Sequence, residues 1–277
     1  MKARRPVLLA VAHGSRDPAA TDAVLGLTAQ VARLAPGVGV RTAFIEIAQP
    51  DLGTALAAAV RDAGDVVVVP LLLSTGYHVR HDIAGAAASV AVTTATTQVA
   101  APATDSPGET GLAADARTGR IGRAGRVHVA APLGPDARLV PALADRLAEA
   151  GAPAGTPIVL AAAGSSDSRA VADTQRQAEL LAGHLGVPVV AAYLSARRPT
   201  VDEAVATLSA RTGGSVAVAA YLLAPGLFHD RLRRSTAAWV STPLAGHPAV
   251  ADLVLHRYGA AAHRDHDRGG LYAPTRR

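Results

Sequence analysis

The chain has 277 residues, 49% of them hydrophobic and only 3% aromatic, with a formal net charge of +5. Cysteine is absent and Lys2 is the only lysine, which excludes a thiolate nucleophile, a Cys-ligated metal and a disulfide framework, and argues against Schiff-base chemistry. No Gly-Lys-Ser/Thr triplet occurs, so nothing matches the loop of a P-loop ATPase; the side chains left for chemistry are His, Asp, Glu, Ser, Tyr and Arg. The length suits two domains of about 120 to 150 residues. The positive charge is almost all arginine, without a basic block interleaved with aromatics. That disfavours nucleic acid and fits a poly-carboxylate small molecule, because the guanidinium fork matches carboxylate geometry.

In chain order, Lys2, Arg4 and Arg5 precede the apolar run Val7-Leu8-Leu9-Ala10-Val11-Ala12. The run is too short for the core of a secretory leader and reads as a buried first strand. No stretch approaches a membrane span, so a cytoplasmic protein is expected. Strands are predicted near 7–12, 39–47, 65–73 and 126–131, alternating with helices near 18–35, 50–63, 81–91 and 136–150. Residues 101–125 carry Pro, Gly, Ser and charge without periodicity and read as a flexible insertion. A second series of strands is predicted near 158–163, 188–194, 215–223 and 252–257, with a disordered tail over 263–277. Runs such as Val66-Val67-Val68-Val69 are apolar on both faces, as covered parallel strands are.

The chain is also written twice. Val7–Ser15 aligns with Ile158–Ser166, Phe44–Pro50 with Tyr193–Pro199, and Val66–Gly76 with Val216–Gly226, at a shift of about 150 residues. The expected fold class is therefore α/β: two duplicated, doubly wound parallel-sheet domains, 1–150 and 151–262, facing a central cleft.

Ligands of such sheets bind beyond the carboxyl ends of the strands. In the first copy these ends carry His13-Gly14-Ser15-Arg16-Asp17, then Glu46, then Ser74-Thr75-Gly76-Tyr77-His78 with Arg80, His81 and Asp82. Two imidazoles and a carboxylate on one rim can hold a first-row divalent ion or accept protons. Plainer roles compete. Ser15 and Asp17 suit helix capping, a lone histidine after a strand is more often structural, and His81 and Asp82 suit a helix start. Glu46, inside the apolar Phe-Ile-Glu-Ile run, needs a partner, a metal or a neutral form. At the positions of His13, Glu46 and His78 the second copy aligns Gly164, Ser195 and Phe228, with His229 one place further on. One half is thus expected to do chemistry. The other half shapes the cleft, with Arg169, Arg197, Arg198 and Arg231 toward the substrate.

The segments AHGSRDP, FIEIAQPDL and VPLLLSTGYHVRHDI, in this order and spacing, resemble the CbiX/SirB family of sirohydrochlorin chelatases, the class II tetrapyrrole chelatases, in its long two-domain form. The resemblance covers about residues 6–100 and 126–262. It implies ATP-independent insertion of Fe2+ or Co2+, as metal substrate, into sirohydrochlorin toward siroheme or cobalamin, by a monomer with no tightly bound cofactor. It makes His13 and His78 the metal-handling residues and Glu46 the acidic catalytic residue between them. Ser15, Arg16, Tyr77, Arg80, Arg197 and Arg198 are the expected substrate contacts. A non-catalytic tetrapyrrole or metal carrier would use the same residues and differ only in lacking turnover. A dinucleotide-dependent oxidoreductase would need a Gly-x-Gly-x-x-Gly turn after the first strand, which His13-Gly14-Ser15-Arg16 is not.

Overall fold

The computed structural model describes residues 5–75, 82–89 and 125–268. Strand β1, Val7–Ala12, is buried along its whole length. Leu8, Ala10 and Ala12 enter one apolar cluster and Val7, Leu9 and Val11 another, so both faces of the strand are covered. Helix α1 (Pro18–Leu34) follows, then β2 (Val40–Phe44), α2 (Leu52–Ala63), β3 (Val66–Pro70), α3 over residues 84–89, β4 (Val127–Val129) and α4 (Leu139–Glu149). The second copy runs β5 (Ile158–Ala162), α5 (Ser168–Leu185), β6 (Val189–Tyr193), α6 (Val201–Thr212), β7 (Ala217–Tyr221), α7 (Leu227–Leu232), β8 (Trp239–Val240) and α8 (Pro248–Arg268). Each copy forms a four-stranded parallel sheet, in the orders β2-β1-β3-β4 and β6-β5-β7-β8.

Local chemistry starts these helices where the sequence suggests. Asp17 accepts the Ala19 N–H at 2.9 Å, with Pro18 at the first helical position, and Asp51 accepts the Thr54 N–H at 3.0 Å. Thr200 and Glu203 form a reciprocal capping box at the start of α6. The backbone N–H of Thr54 holds the Asp51 carboxyl below its ordinary value, and that of Thr200 does the same for Glu203. The stabilisation these carboxylates give is present above their ordinary range and lost as pH falls through the lowered values.

The expected eighth strand at 252–257 is not one. The segment lies inside α8, and the edge strand β8 is the two-residue pair Trp239–Val240. Val250, Ala251, Val254, Tyr258 and Ala261 are all buried, a spacing that follows the helical period, and Pro248 opens the element. The helix also runs to Arg268, into the stretch expected to be a tail. Several strands stop short of their expected ends; β2 closes at Phe44 and β3 at Pro70. Residues 101–124 of the expected insertion lie outside the described residues.

The last helix of each copy covers the sheet of the other. Helix α4 packs on β7 and α5, and α8 packs on β3, β4 and α1. The inner faces of both sheets and these two helices therefore share one core, with Leu8 and Val67 from one copy and Leu160 and Ala219 from the other joined by Leu143, Leu253 and Val254. The outer faces keep separate clusters, against α2 and α6 respectively.

Polar pins reinforce the exchange. Arg257 on α8 donates to the Pro132 and Leu133 carbonyls at 2.8 and 3.0 Å and meets Asp136 at 2.9 Å. The Tyr258 hydroxyl donates to the Pro6 carbonyl at 2.8 Å. The side chains of Arg257 and Asp136 are only 16% and 10% exposed, so removing the guanidinium leaves two buried carbonyls without this donor and a mostly buried carboxylate with Arg138 as its remaining cation. Arg257→Met should cost about 2 to 3 kcal/mol, a fall in melting temperature of roughly 4 to 10 °C. Thermal unfolding followed by circular dichroism measures it, and an unchanged melt would show that the pin carries no stability.

Candidate functional site

The strand order reverses around β1, with β2 on one side and β3 on the other. Helix α1 joins the shared core, whereas Ile83, leading into α3, is buried in the outer cluster. Such a reversal is where parallel sheets open a crevice for ligands. His13 leaves β1 at this point. Pairing with the second strand continues past its end: the Ile45 N–H donates to the Ala12 carbonyl and the Glu46 N–H to the His13 carbonyl, each at 2.9 Å. Two chemically active residues thus emerge side by side.

The approach of these loops requires glycine at position 14. Its φ is +103°, and a Cβ there would lie 1.8 Å from the Glu46 carbonyl oxygen. Just beyond, the Ala48 N–H donates to the Glu46 carbonyl at 2.7 Å and closes a three-residue turn with Ile47 at φ 68°. A β-branched residue in that region is strained. Its side chain is 59% exposed beside Glu46.

His13 is exposed, with Nδ1 3.4 Å from the Gly14 carbonyl oxygen. Glu46 is exposed as well, which corrects the expectation of a carboxylate inside an apolar strand. The strand has ended by Phe44, so the side chain reaches water and burial makes no demand on it. The Ser15 hydroxyl accepts the Asp17 N–H at 3.0 Å and Asp17 caps α1, so both do the plainer work expected of them. Arg16 is exposed and has no partner among the described residues. Tyr77, His78, Arg80 and His81 lie outside the described residues. Among the described residues no group of three or more His, Asp or Glu is placed to hold a metal ion.

The second copy corrects the alignment by one residue. Gly164 has φ +93°, and a Cβ on it would lie 2.0 Å from the Ser195 carbonyl oxygen, so it is the counterpart of Gly14. Ser165 and Asp167 repeat the Ser15 and Asp17 cap. The residue opposite His13 is therefore Ala163, which cannot ligate a metal any more than Gly164 could. The shared Gly-Ser-x-Asp pattern was the signal for this register. Ser195 stands opposite Glu46 as expected, followed by Ala196 at φ 58° where the first copy has Ile47.

Side chains tie this second loop to the turn after β5. The Ser195 hydroxyl donates to the Ala163 carbonyl at 2.8 Å, and Arg197 donates to the Ser165 and Ser166 carbonyls at 3.0 and 2.5 Å. Arg198 pairs with Glu203. Ser195, Arg197 and Arg198 line an open depression of about 480 Å³. His229 lies with Nε2 3.2 Å from the Ser241 carbonyl oxygen, and the Arg231 guanidinium sits 5.8 Å from the centre of the Phe228 ring. Sequence reasoning missed one connection altogether: Tyr221 and Asp173 of the second copy hold Leu73 and Thr75, just after β3.

Comparison with known proteins agrees with this architecture. Over 285 residues the chain is 26% identical to the sirohydrochlorin ferrochelatase of Bacillus subtilis (strain 168), covering 97% of this chain and 98% of that protein. It is similar in structure to SirB from Bacillus subtilis with Fe3+, at a TM-score of 0.76 and 24% identity over 95% of this chain and 98% of that one. It is also similar to the sirohydrochlorin chelatase SirB from Bacillus subtilis subspecies spizizenii in complex with cobalt, at a TM-score of 0.70 and 20% identity over the same shares. At such identities the structures speak for a common fold. The sequence profile of the CbiX family matches residues 7–150 and 157–261, both copies almost in full, and the chain belongs to that family.

Proposed function

We propose that this protein is a sirohydrochlorin chelatase that inserts Fe2+ or Co2+ into the macrocycle without ATP, on the way to siroheme or cobalamin. One observation carries the reading: an exposed imidazole and an exposed carboxylate, His13 and Glu46, stand on loops joined by a 2.9 Å backbone bond at the sheet's reversal point. Family membership supports it, and so does the name of the relative from Bacillus subtilis. In this reading residues 1–150 form the metal-handling half and 151–262 the opposing wall, two doubly wound units facing a central cleft in a cytoplasmic monomer.

The chemistry requires a metal to shed water and two pyrrole N–H groups to lose protons. Neutral imidazoles at His13 and His78 hold the ion and Glu46 accepts protons, its exposure giving them a path to solvent. The exposed Ile47 side chain offers the macrocycle face an apolar contact. The macrocycle's rim carboxylates meet the loop arginines, with Ser15, Tyr77 and Arg80 completing the contact. Bending the ring between the halves would present its nitrogens, a distortion supported by rim binding. Arg16 is the foremost rim cation, because Arg197 and Arg198 already hold carbonyls of the turn after β5 and the Glu203 carboxylate of α6.

Anaerobic incubation of the purified protein with sirohydrochlorin and Fe2+ or Co2+, followed by absorption spectroscopy, tests the activity directly. Binding without turnover would instead identify a carrier. His13→Ala should remove most of the turnover with an unchanged melt. Glu46→Gln should lower kcat by about 100-fold while macrocycle affinity changes little, since an amide cannot take the proton. Equal losses of affinity and rate would mark Glu46 as structural.

Arg16→Ala should raise the KM for the macrocycle in a salt-sensitive way, by more than Arg197→Ala does. The reverse order, measured at low and high ionic strength, would move the rim contact to the second half.

A further inference from the structure

The chain leaving β3 runs through Leu73 and Thr75 toward His78, and the second copy holds it at both residues. The Tyr221 hydroxyl donates to the Leu73 carbonyl at 2.7 Å. One carboxylate oxygen of Asp173, on α5, accepts the Thr75 N–H at 2.6 Å and the Thr75 hydroxyl as well. Gly134 lets the elements meet, because a Cβ on it would stand 2.0 Å from the Tyr221 hydroxyl and 2.3 Å from the Leu73 carbonyl oxygen. Burial first, and then the charges of Asp173 and Asp136, push the Tyr221 phenol far above its ordinary value, so it stays a donor.

The duplication shows that this strap is not a by-product of the fold. The caps Asp17 and Asp167, and the registers Leu8↔Val67 and Ile158↔Ala217, set the two copies 150 residues apart. At that shift Ala23 corresponds to Asp173, Pro225 to Thr75 and Leu71 to Tyr221. Alanine has no acceptor, proline has neither an N–H nor a hydroxyl, and leucine has no donor. The mirror-image strap is therefore chemically impossible. Among the described residues this side-chain strap reaches the β3 exit alone, from the half that lacks the ligands, whereas the matching Leu223 carbonyl of the β7 exit accepts the Ala245 N–H of its own copy at 2.8 Å.

We propose that Asp173 is a positioning residue for metal insertion: by clamping Thr75 it fixes the path of the chain three residues before His78, with Tyr221 bracing the same loop at Leu73. The proposal rests on His78 handling the metal. Outer residues that orient metal-binding side chains change affinity or rate by about 10- to 100-fold when removed, and that range is expected for Asp173→Ala in both kcat and Co2+ affinity. The KM for sirohydrochlorin should stay within about threefold, a smaller change than in kcat, since Ser15, Arg16 and Ile47 meet the macrocycle outside this segment and only Tyr77 and Arg80 share it. Asp173→Asn keeps an acceptor oxygen and should recover most of the rate. Thr75→Val keeps the N–H bond, loses the hydroxyl bond and should show the same pattern at smaller size.

A double-mutant cycle separates positioning from general stability. In a His78→Ala background, Asp173→Ala should cause no further loss of Co2+ affinity or residual rate. An undiminished loss in that background would overturn the proposal, as would near-normal kcat and Co2+ affinity in Asp173→Ala. If Asp173→Ala does not fold, Thr75→Val decides, and an unaffected Thr75→Val enzyme overturns the proposal too. A His78→Ala enzyme with normal turnover removes the metal reading and the strap together. A dead His78→Ala beside an unaffected Asp173→Ala removes the strap alone.

Discussion

Neither sheet can bury its inner face with its own copy's helices alone. The surface formed by Leu8, Ala10, Ala12, Val67 and Val69 needs α8 from the far end of the chain, and the matching surface of β5 and β7 needs α4. Apolar burial near 25 cal/mol per Å² is the principal favourable term of folding, and here it is realised only when both copies are present. The two strand-end rims are therefore held in a fixed relation by one core. A site drawing on both copies gains the positional definition that rigid elements give.

On that shared core the copies have diverged at their rims. The backbone is kept: glycine at 14 and 164, positive φ at Ile47 and Ala196, and aspartate caps at 17 and 167. The chemistry is not kept. His13 faces Ala163 across the duplication, and Glu46 faces Ser195, whose hydroxyl turns back onto its own strand end. The arginines of the second loop serve carbonyls of the neighbouring turn after β5 and Glu203. What the second copy supplies instead is mechanical, a carboxylate and a phenol that hold the β3 exit of the first.

Much of this was legible in the residues. Solid apolar runs such as Val66–Val69 marked covered parallel strands, and the repeated motifs marked the duplication. The strand-end positions of His13 and Glu46 followed from both. Other features were obscured for physical reasons. The run from Val250 to Leu255 is apolar on a helical face that happens to be wide, so over six residues it imitates a strand; a longer window through Tyr258 and Ala261 shows the helical period. Glu46 looked buried because its flanks are apolar, but the strand ends two residues before it. The one-residue slip at His13 arose from aligning apolar strands, which carry little register information, ahead of the Gly-Ser-x-Asp turn, which carries more. The Asp173 strap joins residues 98 positions apart, and no local pattern announces such a contact.

In the proposed function the two copies are unequal: one would hold the metal, and the other would shape and brace the site. Stoichiometry tests it most directly. Titration of the macrocycle-free protein with Co2+, followed by its visible ligand-field absorption, should reach saturation at one ion per chain and show no binding in the His13→Ala/His78→Ala double variant. Two equivalent ions per chain would make the copies equal, and one ion still bound by the double variant would place the metal away from His13 and His78.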